Sequence, residues 1–408
     1  MSLSLAKEKI QFLLLEGVHA EADALLHRAG YTNIDRIDGA VDAQTLAKRI
    51  EDVHFLGIRS RTQLTQAVLS HAKKLTGIGC FCIGTDQIDL AHAAQCGVPV
   101  FNAPYANTRS VAELVLAEII MLMRGIPEKN AAAHQGHWLK TAAHSHEVRG
   151  KRLGIVGYGH IGTQLGILAE GLGMQVNYFD IVSKLPLGNA QPAASLDELL
   201  SQSDVVSLHV PDTPETEHLI NPDNLKRLRP GAHLINASRG RVVDLDALKA
   251  SLTEGHVASA AIDVFPMEPK SSEQAFENPL RGLHNVLLTP HIGGSTQEAQ
   301  KNIARDVTEK LIRYSDNGST MGAVNFPEVA LPDHAGTQRI MHIHRNEPGV
   351  LHAINTAISD QAINIAAQYL QTQGEIGYVV MDIETDNPTP LIQALRAIPA
   401  TIKTRTLL

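Results

Sequence analysis

The sequence predicts an α/β protein with two doubly wound parallel-sheet domains followed by a small βαββαβ domain. Three observations carry that expectation. Short apolar runs alternate with helix-length segments as far as about residue 330, the pattern of parallel sheets covered on both faces. A G-x-G-x-x-G turn at Gly157, Gly159 and Gly162 stands between one such run and a helix. The last stretch of roughly seventy residues changes style, its elements running strand, helix, strand, strand, helix, strand.

In the first domain, residues 11–15 read as a buried strand and 20–29 as a helix. Residues 54–58 form another apolar run, a helix begins near Leu64, and 75–83 and 98–102 are two further strands. The pattern then restarts. Residues 111–124 carry Ala, Leu, Ile and Met at helical spacing. Strands follow at 151–156, 175–179, 205–209, 232–236, 258–263 and 286–289, a second and more regular doubly wound unit. A helix over 297–316 stops at Asn317-Gly318-Ser319. In the tail, strands are expected at 339–344, 363–372, 378–383 and 401–408, with helices at 350–360 and 391–398. The expected domains are 1–106 with 295–330, then 107–294, then 337–408, a count that suits 408 residues at roughly 150 per domain.

Composition narrows the function. Hydrophobic residues make up 44% and charged residues 19%, so the chain can bury real cores. Acids outnumber Lys plus Arg by 43 to 35, which argues against a nucleic-acid binder, and 4% aromatics are too few for base-stacking platforms. Cys80, Cys82 and Cys96 fit neither a disulfide framework nor a zinc spacing, so no metal is expected and the thiols suit a reducing cytosol. The greasy run 111–123 is broken by Glu113 and Glu118, and residues 12–15 are too short for a signal segment. A cytoplasmic protein without a membrane partner is the expectation.

The glycine turn has a specific physical use. Gly157 permits the tight turn, Gly159 lets backbone approach a pyrophosphate, and Gly162 allows close helix–strand packing, while the helix N-terminus offers donors to the anion. The next strand ends at Asp180, where a carboxylate can accept from both ribose hydroxyls and repel a 2′-phosphate. NAD is therefore the expected cofactor.

Three segments sit at predicted strand ends, where open α/β sheets place ligands: residues 236–240, 263–269 and 289–294. Their polar candidates are Arg239, Glu268 and His291. Hydride transfer from a secondary alcohol needs a base for the hydroxyl proton, which histidine supplies near neutral pH. A carboxylate beside it favours the imidazolium and fixes the ring. A guanidinium can grip a substrate carboxylate. Spacing alone does not bring the three together.

Taken in order, these segments resemble the D-isomer-specific 2-hydroxyacid dehydrogenases over roughly residues 10 to 330. The resemblance implies Arg239 as carboxylate binder, Glu268 as partner of the histidine and His291 as acid/base. It also implies an NAD site lined by His160, Ile161, Ala237, Ser238, Arg239, Asp263, His291, Ile292, Gly293 and Gly294.

Two further loops are candidates for a doubly charged anion. Arg59-Ser60-Arg61-Thr62 follows a predicted strand, and Asn107-Thr108-Arg109-Ser110 opens the long helix; a solvated basic turn is the plain alternative. Trp138-Leu139-Lys140 could close over substrate, or could equally pack or meet another subunit. Within the family, residues 81–86, 107–110, 157–166 and 289–299 are similar to members that oxidise D-3-phosphoglycerate to 3-phosphohydroxypyruvate on the way to L-serine. That similarity implies a substrate site using Arg59, Arg61 and Arg109 with Ser60 and Asn107, Lys140 reaching a neighbouring subunit, reduction of 2-oxoglutarate, and a homotetramer.

The tail resembles ACT domains, and His342 to Val350 their first strand-to-helix turn; the Pro348-Gly349 step is also an ordinary turn signal. By resemblance, His344 and Asn346 of one chain and Asn364 of a partner chain would hold L-serine as effector. Gly293-Gly294, Gly318 and Gly336 are expected hinges. The rivals are a dehydrogenase of an unphosphorylated acid such as glycerate, and an NAD-sensing corepressor.

Overall fold

The computed structural model describes residues 5–269, 274–332 and 337–407. They form two compact units, one built from the chain up to Ala106 and from Gln300 onward, the other from Asn107–Ala299.

The first unit opens with a parallel sheet of β1 (Phe12–Leu15), β2 (Ile34–Ile37), β3 (Phe55–Ile58), β4 (Gly77–Cys80) and β5 (Val100–Asn102), in the order β2-β1-β3-β4-β5. Four of these strands are buried throughout, which is why they read as apolar runs. The edge strand β2, Ile-Asp-Arg-Ile, is half exposed and carries charge outward, so its apolar signal is weak. The helix Ala43–Arg49 also lay beyond the sequence reading; Asp42 caps it by accepting the N–H groups of Gln44 and Thr45. In β4, a side chain at Gly79 would stand 2.8 Å from Leu311 and Val307, so the glycine lets the helix Gln297–Asn317 lie close.

The second unit is a seven-stranded parallel sheet of β6 (Arg152–Val156), β7 (Gln175–Phe179), β8 (Gln191–Pro192), β9 (Val205–Leu208), β10 (Ala232–Asn236), β11 (Val257–Ile262) and β12 (Val286–Leu288). Its order is β12-β11-β10-β9-β6-β7-β8, so the winding direction reverses between β6 and β9. The crevice at the carboxyl ends of strands around such a reversal is where open sheets bind ligands. The helix Thr108–Arg124 turns Val111, Val115, Ile119 and Leu122 into the core with Leu153, Ile155 and Ala261.

The tail completes the first unit with β13 (Gln338–Arg345), β14 (Asn364–Gln373), β15 (Ile376–Glu384) and β16 (Thr401–Leu407), antiparallel in the order β14-β15-β13-β16. The helices Val350–Ser359 and Thr389–Ala397 complete the expected βαββαβ order. Alternation along β13 serves two cores: Ile340 joins Ile354, Ile358 and Leu391, whereas Met341 and Ile343 join Tyr314 and Phe326. Arg339 is fully buried and grips Asp382 with two bonds of 2.6 and 2.7 Å, also donating to the carbonyls of Asn317 and Pro332.

Gly318, expected to be a hinge, is packed. Gly318 has φ +83°, its carbonyl accepts from the buried Tyr378 hydroxyl at 2.7 Å, and a side chain there would meet Met341 Sδ at 2.5 Å. Gly336 lies outside the described residues.

Two buried histidines of β13 set an acid limit. His342 is held neutral, its pKa lowered to about 4 by burial and then by the neighbouring His344. A histidine whose folded pKa is depressed contributes stability above its unfolded value near 6.5, and that contribution is lost as pH falls toward about 4. Thermal unfolding followed from pH 7 to pH 4 should therefore show a shallower fall in Tm for His342→Gln than for the parent chain.

Candidate functional site

The glycine turn stands between β6 and the helix His160–Gly171 in the second unit. Gly157 has φ +90°, and a side chain there would strike the His209 carbonyl at 2.3 Å. At Gly162 it would meet the Gly157 carbonyl at the same distance, so this glycine sets how closely helix and turn approach. A side chain at Gly159 would meet nothing within 4 Å, which leaves an open cradle at the helix N-terminus. Among the described residues no side-chain cap closes that terminus. A cavity of about 390 Å³ lies there, lined by Thr108, Tyr158, Gly159, His160, Thr163 and Lys184 among others. Asp180 follows β7, and its carboxylate accepts the N–H groups of Tyr158 (2.8 Å) and Val182 (2.9 Å), fixing it beside the turn. The open cradle, the helix terminus and the acid fit a dinucleotide.

The three strand-end segments meet at the other half of the crevice. Asp263, buried after β11, anchors them. It accepts the Thr289 hydroxyl at 2.6 Å, the Ile292 N–H at 2.8 Å and the Gly293 N–H at 2.9 Å. Its carboxylate is thus turned into the loop that carries the histidine. His291 adopts φ +54°, uncommon for a residue with a side chain, and is held there by its N–H donating to the Asp263 carbonyl at 2.8 Å. Gly294 is required for close approach, since a side chain would reach Asn107 Nδ2 at 2.5 Å.

His291 Nδ1 lies 2.9 and 3.0 Å from the two Glu268 oxygens, which leaves Nε2 facing outward. This hydrogen bond raises the His291 pKa above its usual value; burial opposes it, the charges of Glu268 and Asp263 add to it, and Arg239 offsets part. Burial pulls the Glu268 carboxyl upward, but the His291 bond and charge, the Phe265 N–H and Arg239 together outweigh it and lower its pKa. Arg239 therefore acts on both members of the pair. Its loop is braced by Asn236, which accepts the Ser238 N–H and hydroxyl and donates to the Arg239 carbonyl at 3.0 Å. At Gly240 a side chain would lie 2.0 Å from the Phe265 backbone, so only glycine lets this loop pass.

Other elements carry the remaining expected residues. Asn107 is buried at the start of the long helix, but Arg109 is exposed and bonded to Glu113 at 2.5 Å. Lys140 lies in an exposed segment beside Trp138, which is 85% exposed. Arg59, Ser60 and Arg61 belong to the first unit. Their loop hangs on a residue the sequence did not flag: the buried Glu16 carboxylate accepts the N–H groups of Arg59 (3.2 Å), Arg61 (3.0 Å) and Thr62 (2.8 Å). In the sequence Glu118 shows only as a break in an apolar run. It is 1% exposed with no hydrogen-bond partner among the described residues, and burial pushes its carboxyl up to about 8, with Asp263 adding to the shift.

In the tail, His344 is buried over Gly377, and Asn346 donates to the Gly374 carbonyl. Asn364 bonds Glu384 at the far end of the sheet. In the register His344 pairs Gly377, which pairs Thr372, eight residues from Asn364, so one chain keeps them about 27 Å apart. No described helix is long and apolar enough to cross a membrane.

Comparison with known proteins agrees with this architecture. The profile of the D-isomer specific 2-hydroxyacid dehydrogenase NAD binding domain matches residues 116–293, and that of the AHAS small subunit-like ACT domain matches 340–403. The chain is 59% identical over 407 residues to D-3-phosphoglycerate dehydrogenase of Escherichia coli, covering 99% of each. It is 45% identical to the enzyme of that name from Dictyostelium discoideum, covering 99% of this chain and 98% of the relative. Among solved structures, D-lactate dehydrogenase from Aquifex aeolicus, complexed with NAD and lactic acid, superposes with a TM-score of 0.66 at 26% identity, covering 74% of this chain and 95% of that one.

Proposed function

The chain belongs to the D-isomer-specific 2-hydroxyacid dehydrogenase family and is an NAD-dependent oxidoreductase with a C-terminal ACT domain; from that premise we propose that its substrate is D-3-phosphoglycerate, oxidised to 3-phosphohydroxypyruvate at the entry to L-serine synthesis. The observation that carries the chemistry is the His291–Glu268 pair beside Arg239 at the carboxyl ends of β10, β11 and β12. The full-length likeness to enzymes named for that substrate supports the choice of acid.

NAD, when bound, supplies the hydride acceptor. Gly157 to Gly162 would hold its pyrophosphate, Asp180 its adenosine ribose, and residues 237–239 and 291–294 would line the rest of its site. Arg239 holds the substrate carboxylate and orients the carbon that bears the hydroxyl. His291 Nε2 takes the hydroxyl proton, and the imidazolium so formed is stabilised by Glu268 at Nδ1. In the reverse direction the same atom returns the proton, which also serves reduction of 2-oxoglutarate. Arg59 and Arg61, presented by the Glu16-braced loop with Ser60, meet the phosphate; Arg109 and Asn107 assist, and Lys140 serves a neighbouring subunit in a homotetramer. The outer strand β14 exposes Leu370 and is free to pair with a second tail. Across such a pair, His344 and Asn346 of one chain and Asn364 of the other hold L-serine, which lowers activity. The protein works in the cytoplasm.

NADH formation with D-3-phosphoglycerate, with D-glycerate as control and L-serine as inhibitor, tests this reading. Turnover on the phosphorylated acid alone, suppressed by serine, is expected. Equal turnover on glycerate would remove the phosphate site, and insensitivity to serine would remove the effector. A second expectation concerns the cofactor: Asp180→Ala should weaken NAD binding about 10-fold or more in a fluorescence titration, because charge-assisted bonds to the ribose are lost, and should narrow the gap to NADP.

A further inference from the structure

At the carboxyl end of β4 the segment Cys80-Phe81-Cys82 brings two free thiols together, with Sγ–Sγ at 3.3 Å. The strand ends at Cys80 and the chain bends through Phe81 to Ile83, which leaves both sulfurs within hydrogen-bond reach of one acceptor, the Gly84 carbonyl, at 3.2 and 3.1 Å. Cys80 is buried, whereas Cys82 is partly exposed at the rim. One side chain ties the pair to a neighbouring loop. Gln87 Nε2 donates to Cys80 Sγ at 3.0 Å, to Cys82 Sγ at 3.4 Å and to the Arg59 carbonyl at 2.7 Å.

We propose that Cys80 and Cys82 are an oxidisable dithiol, a modification site at which a peroxide converts the two thiols to an intrachain disulfide and loosens the Arg59–Arg61 loop. The two sulfurs have unequal parts. Cys82 is the nucleophile: the Cys80 S–H lowers its pKa, burial and the Glu16 charge oppose this, and the Gln87 amide and the Arg59 charge reinforce it. Cys80, which donates that bond and is buried, is held as the protonated resolving thiol. The Cys82 thiolate attacks a peroxide oxygen; the S–O bond forms, the O–O bond breaks, and the departing hydroxide takes a proton to leave as water. The Cys80 sulfur then attacks Cys82, its proton leaving with the displaced hydroxyl as a second water while the S–S bond forms. The peroxide gains two electrons and the thiol pair loses two; a dithiol reductant reverses the change.

Oxidation removes the remaining S–H hydrogen, so the Gly84 carbonyl no longer has a sulfur donor and the turn that carries Gln87 is released. The Gln87 bond to the Arg59 carbonyl goes with it. Its consequence for activity rests on the reading that Arg59 and Arg61 meet the substrate phosphate.

The test treats the full-length protein with hydrogen peroxide and reads the peptide spanning Cys80 and Cys82 by mass. Loss of two hydrogen masses, absent in Cys80→Ser and Cys82→Ser and reversed by dithiothreitol, is expected, while Cys96 stays open to alkylation. The KM for D-3-phosphoglycerate should rise about 2- to 10-fold with kcat little changed, the equivalent of one lost hydrogen bond. An unchanged peptide mass, or oxygen added to Cys82 without a cross-link, overturns the proposal. A cross-link that leaves KM unchanged overturns the coupling to the loop. The mass readout does not depend on the enzyme reading, whose own failure would show as an unchanged KM in reduced Arg59→Ala.

Discussion

With His291 replaced by glutamine, NADH formation falls by about 10²- to 10⁴-fold, the usual contribution of a positioned general base. Glutamine keeps a polar group of similar reach but has no basic nitrogen for the hydroxyl proton. Because the His291 backbone N–H, bonded to the Asp263 carbonyl, is unaffected, the loop through Gly293 keeps its shape. NAD binding by titration should stay close to that of the parent chain. A variant that binds NAD and turns over at the parent rate would exclude His291 as the proton acceptor.

Arg239→Ala is expected to cost about 2–5 kcal/mol in transition-state stabilisation, seen as a fall in kcat/KM. In the proposed reading the guanidinium has two tasks, gripping the substrate carboxylate and balancing the charge of Glu268 and His291. The first task dominates the loss. Arg239→Lys should recover only part of it, since an ammonium lacks the planar fork that matches a carboxylate. Near-normal kcat/KM in the alanine variant would remove Arg239 from the site. Because Arg239 partly offsets the pull of Glu268, its removal should also move the His291 pKa further up.

How much of this was legible in the sequence depended on whether the cause was local. Gly157, Gly159 and Gly162 could be read because each glycine answers a demand of its own turn. The buried strands β1 and β3 could be read because parallel strands covered on both faces are apolar throughout. The edge strand β2 and the helix Ala43–Arg49 were missed because their exposed faces dilute the apolar signal. Glu16 was illegible for another reason: its three N–H partners lie 43 to 46 residues away, a relation set by the pairing of β1 with β3. Asp263 was named from resemblance as lining the cofactor site. The structure adds that its carboxylate is committed to Thr289, Ile292 and Gly293, so it shapes the loop that presents His291. Convergence of Arg239, Glu268 and His291 likewise needed three strand ends to be placed side by side, which spacing alone does not fix.

The central claim is that His291, tuned by Glu268, carries the proton, and the pH dependence of kcat/KM for D-3-phosphoglycerate oxidation tests it most directly. Oxidation needs neutral His291, so the rate should rise with pH through a pKa above the ordinary histidine value near 6.5. In Glu268→Gln the hydrogen bond and charge that raise this pKa are weakened. The acid limb should then move to lower pH while the plateau falls. An acid limb that stays in place in Glu268→Gln would contradict the account, because the group that titrates would not be the histidine this carboxylate holds.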